Sequence, residues 1–179
     1  MGHVYLEIIL FLLFFLPNLS FYLGITDSLT SNLLKFIISL HVLKKSKLRF
    51  SSKGSLLGLL SCVLLLPNTI DLFLIPILLL ASFSEELIFR VEFQQRYGVL
   101  SSSLLFLLWH IPKLLVEPFY VFPSILLMSL FWGLIYEKTN DFSLVFSSHF
   151  FYDLFLSSGG GGPIWLSLSL VFIYIFKFW

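Results

Sequence analysis

Glu85-Glu86-Leu87-Ile88-Phe89-Arg90 follows closely on Phe73-Leu74-Ile75-Pro76-Ile77-Leu78-Leu79-Leu80-Ala81, so two adjacent acids and a base sit inside lipid-grade sequence. A charge near the centre of a bilayer costs roughly 2.5–3.5 kcal/mol on insertion scales, and such groups mark functional sites by default. Three charges together therefore need partners or a task. The remaining sequence reads as the housing for them.

That housing is apolar. Of 179 residues, 58% are hydrophobic and 12% charged, with mean hydropathy +0.98. An ordinary soluble domain carries about 25% charged residues. The expectation is an all-α fold, a polytopic transmembrane bundle of about 7–8 helices forming one integral membrane domain over 1–179, with the lipid bilayer as first partner. A net charge of +1 gives no reason to expect nucleic acid. The single cysteine, Cys62, excludes an intrachain disulfide and a thiolate zinc cluster. The apolar run 4–16 lacks a basic leader and a small-residue cleavage site, so it reads as a first membrane helix.

Spans are expected over 4–23, with a kink at Pro17, then 28–43, 54–66, 71–95, 100–116, 121–136, 142–156 and 164–179. Turns fall at 24–27, 96–98 and 137–141, breaks at Pro67-Asn68 and Glu117-Pro118, and a glycine loop at 159–162. Tyr174, Lys177 and Trp179 read as interfacial anchors. Two readings of 28–43 stay open, because Asn32, Lys35, Ser39 and His41 dilute it: a span, or an amphipathic helix lying in the interface. The basic run Lys44-Lys45-Ser46-Lys47-Leu48-Arg49, with Lys53 beyond, reads as a cytoplasmic loop. With eight spans both termini are cytoplasmic, and Arg96, Lys138 and Lys177 fall on the basic side. Asp27, Asp71 and Glu117 fall opposite, near Lys113.

Helical rise places three ionisable residues at one depth. Glu85 lies roughly 16 Å from Arg96, His110 roughly 18 Å from Gly98, and His149 roughly 12 Å from Asp141. Glu86 and Arg90 are four apart and share a face, as do Phe106 and His110, and His149 and Asp153. Arg90 is expected to hold Glu86 while Glu85, about 100° round the helix, faces a cavity. Burial and a like-charged neighbour can tune such a carboxyl into a general base at neutral pH. Taken singly, these residues are equally an ion pair, a packing histidine and a polar clasp between helices. His3 and His41 have no acid partner in the sequence pattern and receive no role.

Glu85-Glu86-xxx-Arg90, Phe106-xxx-His110 and His149-xxx-Asp153, in that order and at those intervals, resemble the three-motif pattern of the CAAX-processing and bacteriocin-processing (CPBP, or ABI) intramembrane proteases. The segment 133–139 also resembles that family's link before the last histidine, and the likeness covers about 71–156. The resemblance implies a catalytic set of Glu85, Glu86, Arg90, His110, His149 and Asp153. Glu85 would activate a water and His110 would position it. His149 and residue 153 would stabilise the oxyanion, with Arg90 and Glu86 organising the site. It implies a multi-pass cell-membrane endopeptidase without cofactor, acting on a peptide or membrane protein by CAAX-type or leader processing. Two positions depart from the pattern: Asp153 stands where Asn is usual, and Val91 where Gly is common. An ionised Asp cannot donate to an oxyanion. It must be protonated, orient His149 or bind a metal. The alternatives are a non-catalytic immunity or scaffold protein of the same fold, a zinc-dependent version of the protease, and a small transporter using the acids as a proton relay.

Overall fold

The computed structural model describes residues 2–44, 46–65, 69–119, 121–160 and 164–178; the side chains of 2–4, 6, 114 and 164–167 are not described. The expected bend at Pro67-Asn68, and Lys45, Gly161, Gly162 and Trp179, lie outside the described residues. Among the described residues the regular structure is helical, with no strand. The helices are α1 Gly2–Tyr22, α2 Ser28–Leu43, α3 Ser52–Leu60, α4 Leu74–Glu86, α5 Gln95–Trp109, α6 Val121–Thr139, α7 Phe142–Ser157 and α8 Ile164–Phe178. One of them, α6, is long and apolar enough to cross a membrane by length and composition.

Several expected boundaries move, each for a local reason. Helix α4 begins at Leu74 rather than 71, because the Asp71 carboxylate accepts from the Phe73 amide at 2.9 Å and forms a turn ahead of the helix. The expected continuous helix to 95 changes winding, since Leu87–Gln94 is π-helical. The expected helix 100–116 stops at Trp109, and Ile111–Leu115 is 3₁₀. Pro112 causes this: it lacks an N–H and disfavours α geometry at the preceding residue. Helix α3 is only nine residues long, roughly 14 Å of rise, and Val63–Leu65 continues it as a 3₁₀ turn. The expected single span over 54–66 is therefore broken. Pro17 lies inside an unbroken α1. The turn at 96–98 is present, with Gly98 at φ 79°. Asp27 caps α2, accepting from the Thr30 amide at 2.8 Å, and that bond holds its carboxyl below the usual carboxylate range.

On α2 burial is inverted relative to a helix of a water-soluble bundle. The polar Ser31, Asn32, Lys35 and Ser39 are buried, while Leu29, Leu33, Leu34 and Ile37 are exposed. An interfacial amphipathic helix requires the opposite arrangement, with its polar face in water. Exposed Ile8, Ile9, Leu12 and Leu16 cover α1, and Leu100, Leu104 and Leu108 cover α5. Small polar residues fill the helix contacts inside, the packing device of helices that cannot use hydrophobic contrast. The α3–α7 contact is the clearest case. Ser61 and Ser148 share a hydroxyl bond of 2.7 Å, and the Cys62 thiol donates to the Ser148 carbonyl at 3.3 Å. A Cβ on Gly58 would collide with Ser147 Oγ and stand 2.7 Å from Ser148 N and 2.8 Å from the Leu144 carbonyl oxygen. Two of these obstacles are backbone and cannot rotate away. Gly58→Ala is expected to destabilise by about 1–3 kcal/mol, read as a lower unfolding midpoint in detergent. An unchanged midpoint would mean that α3 is free to shift.

Candidate active site

The floor of the site is made where α4 passes into the π-helical stretch. A π turn adds a residue per turn and frequently accompanies function. Glu86 and Arg90 are fully buried there, with Arg90 Nε donating to Glu86 Oε2 at 2.9 Å. Arg90 Nη2 donates to Ser129 Oγ on α6 at 2.8 Å, and its guanidinium lies 5.5 Å from the Phe106 ring. One side chain thus ties three helices together.

Glu86 spends its other oxygen on the last motif. His149 Nδ1 donates to Glu86 Oε1 at 2.8 Å. His149 Nε2 lies 3.2 Å from Asp153 Oδ2 and 3.7 Å from Glu85 Oε2. The Trp132 ring stacks on the imidazole, centroids 4.1 Å apart and planes at 23°, and Trp132 Nε1 donates to Ser148 Oγ at 3.0 Å. The histidine is therefore fixed on its face and at both nitrogens.

Glu85 and His110 line a single cavity of about 600 Å³, with His149 and Asp153. His110 is the C-cap of α5, and its Nδ1 donates to the Phe106 carbonyl at 2.8 Å. In the neutral ring that bond leaves Nε2 as the acceptor. The Phe106 ring packs 4.5 Å from His110 and 5.9 Å from His149, so it separates the two imidazoles. All six residues singled out by the sequence pattern are brought together: four on the cavity wall, with Glu86 and Arg90 directly behind them.

Sequence reasoning missed a seventh group. Lys35 Nζ lies 3.6 Å from Glu85 Oε1 and 4.8 Å from the centroid of the Trp109 ring, and its side chain is only 5% exposed. The signal for it was present in α2. Ser31, Asn32, Lys35, Ser39 and Val42 recur at helical spacing and form the helix's buried face. With His149 donating from both nitrogens, the carboxylates Glu85, Glu86 and Asp153 face the cationic groups Lys35, Arg90 and His149, so charge is matched inside the site.

A family model described as type II CAAX prenyl endopeptidase Rce1-like matches residues 67–155. Over that span, just under half of its length, the chain is similar to this family. The matched span carries Glu85, Glu86, Arg90, His110, His149 and Asp153, and the family is one of membrane-embedded proteases. Lys35, on α2, lies outside it. No curated protein and no solved structure matches the chain.

Proposed function

We propose that this Rce1-like chain is an intramembrane endopeptidase that hydrolyses a peptide bond with a water activated by Glu85. The observation that carries the reading is the Glu85 carboxylate, only 6% exposed at the wall of an open cavity, between Lys35 on one oxygen and His149 on the other. The chain is read as one multi-pass integral membrane domain, with the catalytic core over 71–156 and both termini cytoplasmic. The inward polar face of α2 and the apolar exterior support the membrane setting.

In this mechanism Glu85 accepts a proton from the water as its oxygen bonds to the scissile carbonyl carbon. His110 Nε2 accepts the water's second hydrogen bond and fixes the line of attack. The carbonyl π electrons move to oxygen. Lys35 has three N–H donors, of which Glu85 takes one, so it can face the oxyanion, while both N–H groups of His149 are spent on Glu86 and Asp153. Collapse re-forms the carbonyl, breaks the C–N bond and returns the proton from Glu85 to the leaving amine. Asp153 acts by holding His149 Nε2, which answers how an acid can occupy a position where Asn is usual.

A peptidase assay on the purified protein tests this, using a prenylated CAAX peptide and an unprenylated leader peptide. Cleavage is expected to be lost in His110→Ala and His149→Ala and retained within about tenfold in Asp153→Asn, whose amide oxygen still accepts from His149. Retained cleavage in His110→Ala would remove its assigned role. Loss on chelation that zinc restores would move the chemistry to the metal-dependent version.

A further inference from the structure

We infer that the slot between α1 and α5 is a lipid-binding site, which holds one acyl chain of a phospholipid whose head group carries a primary ammonium. The inference rests on the bilayer setting and not on the endopeptidase reading. The slot is a second cavity, of about 430 Å³, and among the described residues it shares no lining residue with the active-site cavity.

Two ties between α1 and the α5 side bound the slot. At its inner end Trp109 Nε1 donates to the Phe14 carbonyl at 3.2 Å, and the two rings stack with centroids 5.5 Å apart. Asn18 Nδ2 donates to the Trp109 carbonyl at 2.9 Å just beyond. At the outer end Arg96 pairs through Nη1 with Glu7 of α1, and through Nη2 with Glu92 of the π-helical stretch at 2.6 Å. Phe11 and Phe93, centroids 6.2 Å apart, close the back. The front is open, because Ile8 and Leu12 on one wall and Leu104 and Leu108 on the other are each about half exposed. From Ser101 to Leu108 the α5 wall rises roughly 10 Å. Half of a 30 Å hydrocarbon core is about 15 Å, so the slot fits within one leaflet. A partner's transmembrane helix, about 10 Å wide, would lie along both leaflets, and the tie at Trp109 ends the slot before the second. An acyl chain is thin and ends within its own leaflet.

The outer tie selects the head group by charge. One guanidinium faces two carboxylates, so the cluster of Glu7, Glu92 and Arg96 carries one net negative charge. Among the described residues no other ion pair reaches either acid. Glu7 is only 6% exposed and lines the slot, where an unmatched charge is costly. A head-group ammonium brings one positive charge and three N–H donors to these acids. The phosphate of the same lipid meets the outer edge of Arg96, whose side chain is 38% exposed. A choline head group brings the charge without N–H donors. A glycerol head group brings no positive charge, and its phosphate adds a second negative one.

The test offers the detergent-purified protein an equal mixture of phosphatidylethanolamine, phosphatidylcholine and phosphatidylglycerol with matched chains, and counts the lipid adducts by native mass spectrometry. The ethanolamine lipid is expected to exceed the glycerol lipid by about fivefold, what one partly exposed ion pair is worth. Glu92→Gln should abolish that preference and leave an adduct. Leu104→Trp and Ile8→Trp, at exposed positions on opposite walls, should each fill the slot and remove the adduct. Either variant decides if the other fails to fold. By linkage, added ethanolamine lipid should also raise the unfolding midpoint of the parent and not that of the two Trp variants. Equal adducts of the three lipids in the parent, a preference for the glycerol lipid, or an adduct that survives in a folded Trp variant would overturn the inference. Neither readout depends on turnover, so a protein without peptidase activity that still selects the ethanolamine lipid would sink the enzyme reading alone.

Discussion

Glu85→Gln is expected to lower turnover by about 10²–10⁴-fold with KM little changed, the range over which a positioned general base contributes. The substitution keeps the side chain's shape and one oxygen, so the cavity wall is preserved. It removes the site that takes the proton from water and returns it to the leaving amine. It also deprives Lys35 of its carboxylate, which lies 3.6 Å away. A buried ammonium without a partner is costly, so the unfolding midpoint must be measured beside the rate. A folded Glu85→Gln protein that still turns over within about tenfold of the parent would show that the water is activated by another group. A variant that fails only because it unfolds would be recognised by its midpoint. Lys35→Arg, which keeps the charge, would then separate the role of the base from the role of its counterion.

The site was legible in the sequence where its contacts are local. Glu86 and Arg90, Phe106 and His110, and His149 and Asp153 are each four apart, and each pair touches or packs in the structure. Helical periodicity alone predicts those contacts. The joining of Glu86 to His149, 63 residues away, was foreshadowed only by the matching depths of their helices. Lys35 was not legible, because a cation in an apolar helix reads as weakness of the span until its partner is known. Glu85 is 50 positions distant, and nothing in α2 names it. The π-helical winding of Leu87–Gln94 was equally hidden. Its residues have ordinary helical preferences, and nothing in their order marks a change of winding. Gly98, by contrast, announced its turn, since φ 79° is open to glycine at little cost.

Arg90→Leu is expected to destabilise the protein by about 3–5 kcal/mol, the largest loss of stability from any single substitution considered. Arg90 has no exposed surface, and its charge is met by Glu86 at 2.9 Å. Deleting the guanidinium leaves the buried Glu86 carboxylate with His149 as its remaining partner among these contacts, and leaves Ser129 without its donor. The double variant Glu86→Gln/Arg90→Leu should recover part of the loss, because a neutral amide is less costly to bury than an unpaired carboxylate. Arg90→Lys should fall between parent and Arg90→Leu: it keeps the charge but cannot bond Glu86 and Ser129 at once with a planar fork. Unfolding midpoints of the four proteins in one detergent decide the matter. If Arg90→Leu melts within about 1 kcal/mol of the parent, the pair is not what fixes α4 against α6. If instead the single variant is crippled and the double variant is partly restored, the pair is structural. The separate loss of turnover in Glu85→Gln would then assign two adjacent glutamates to two different tasks, one holding the fold and one handling the proton.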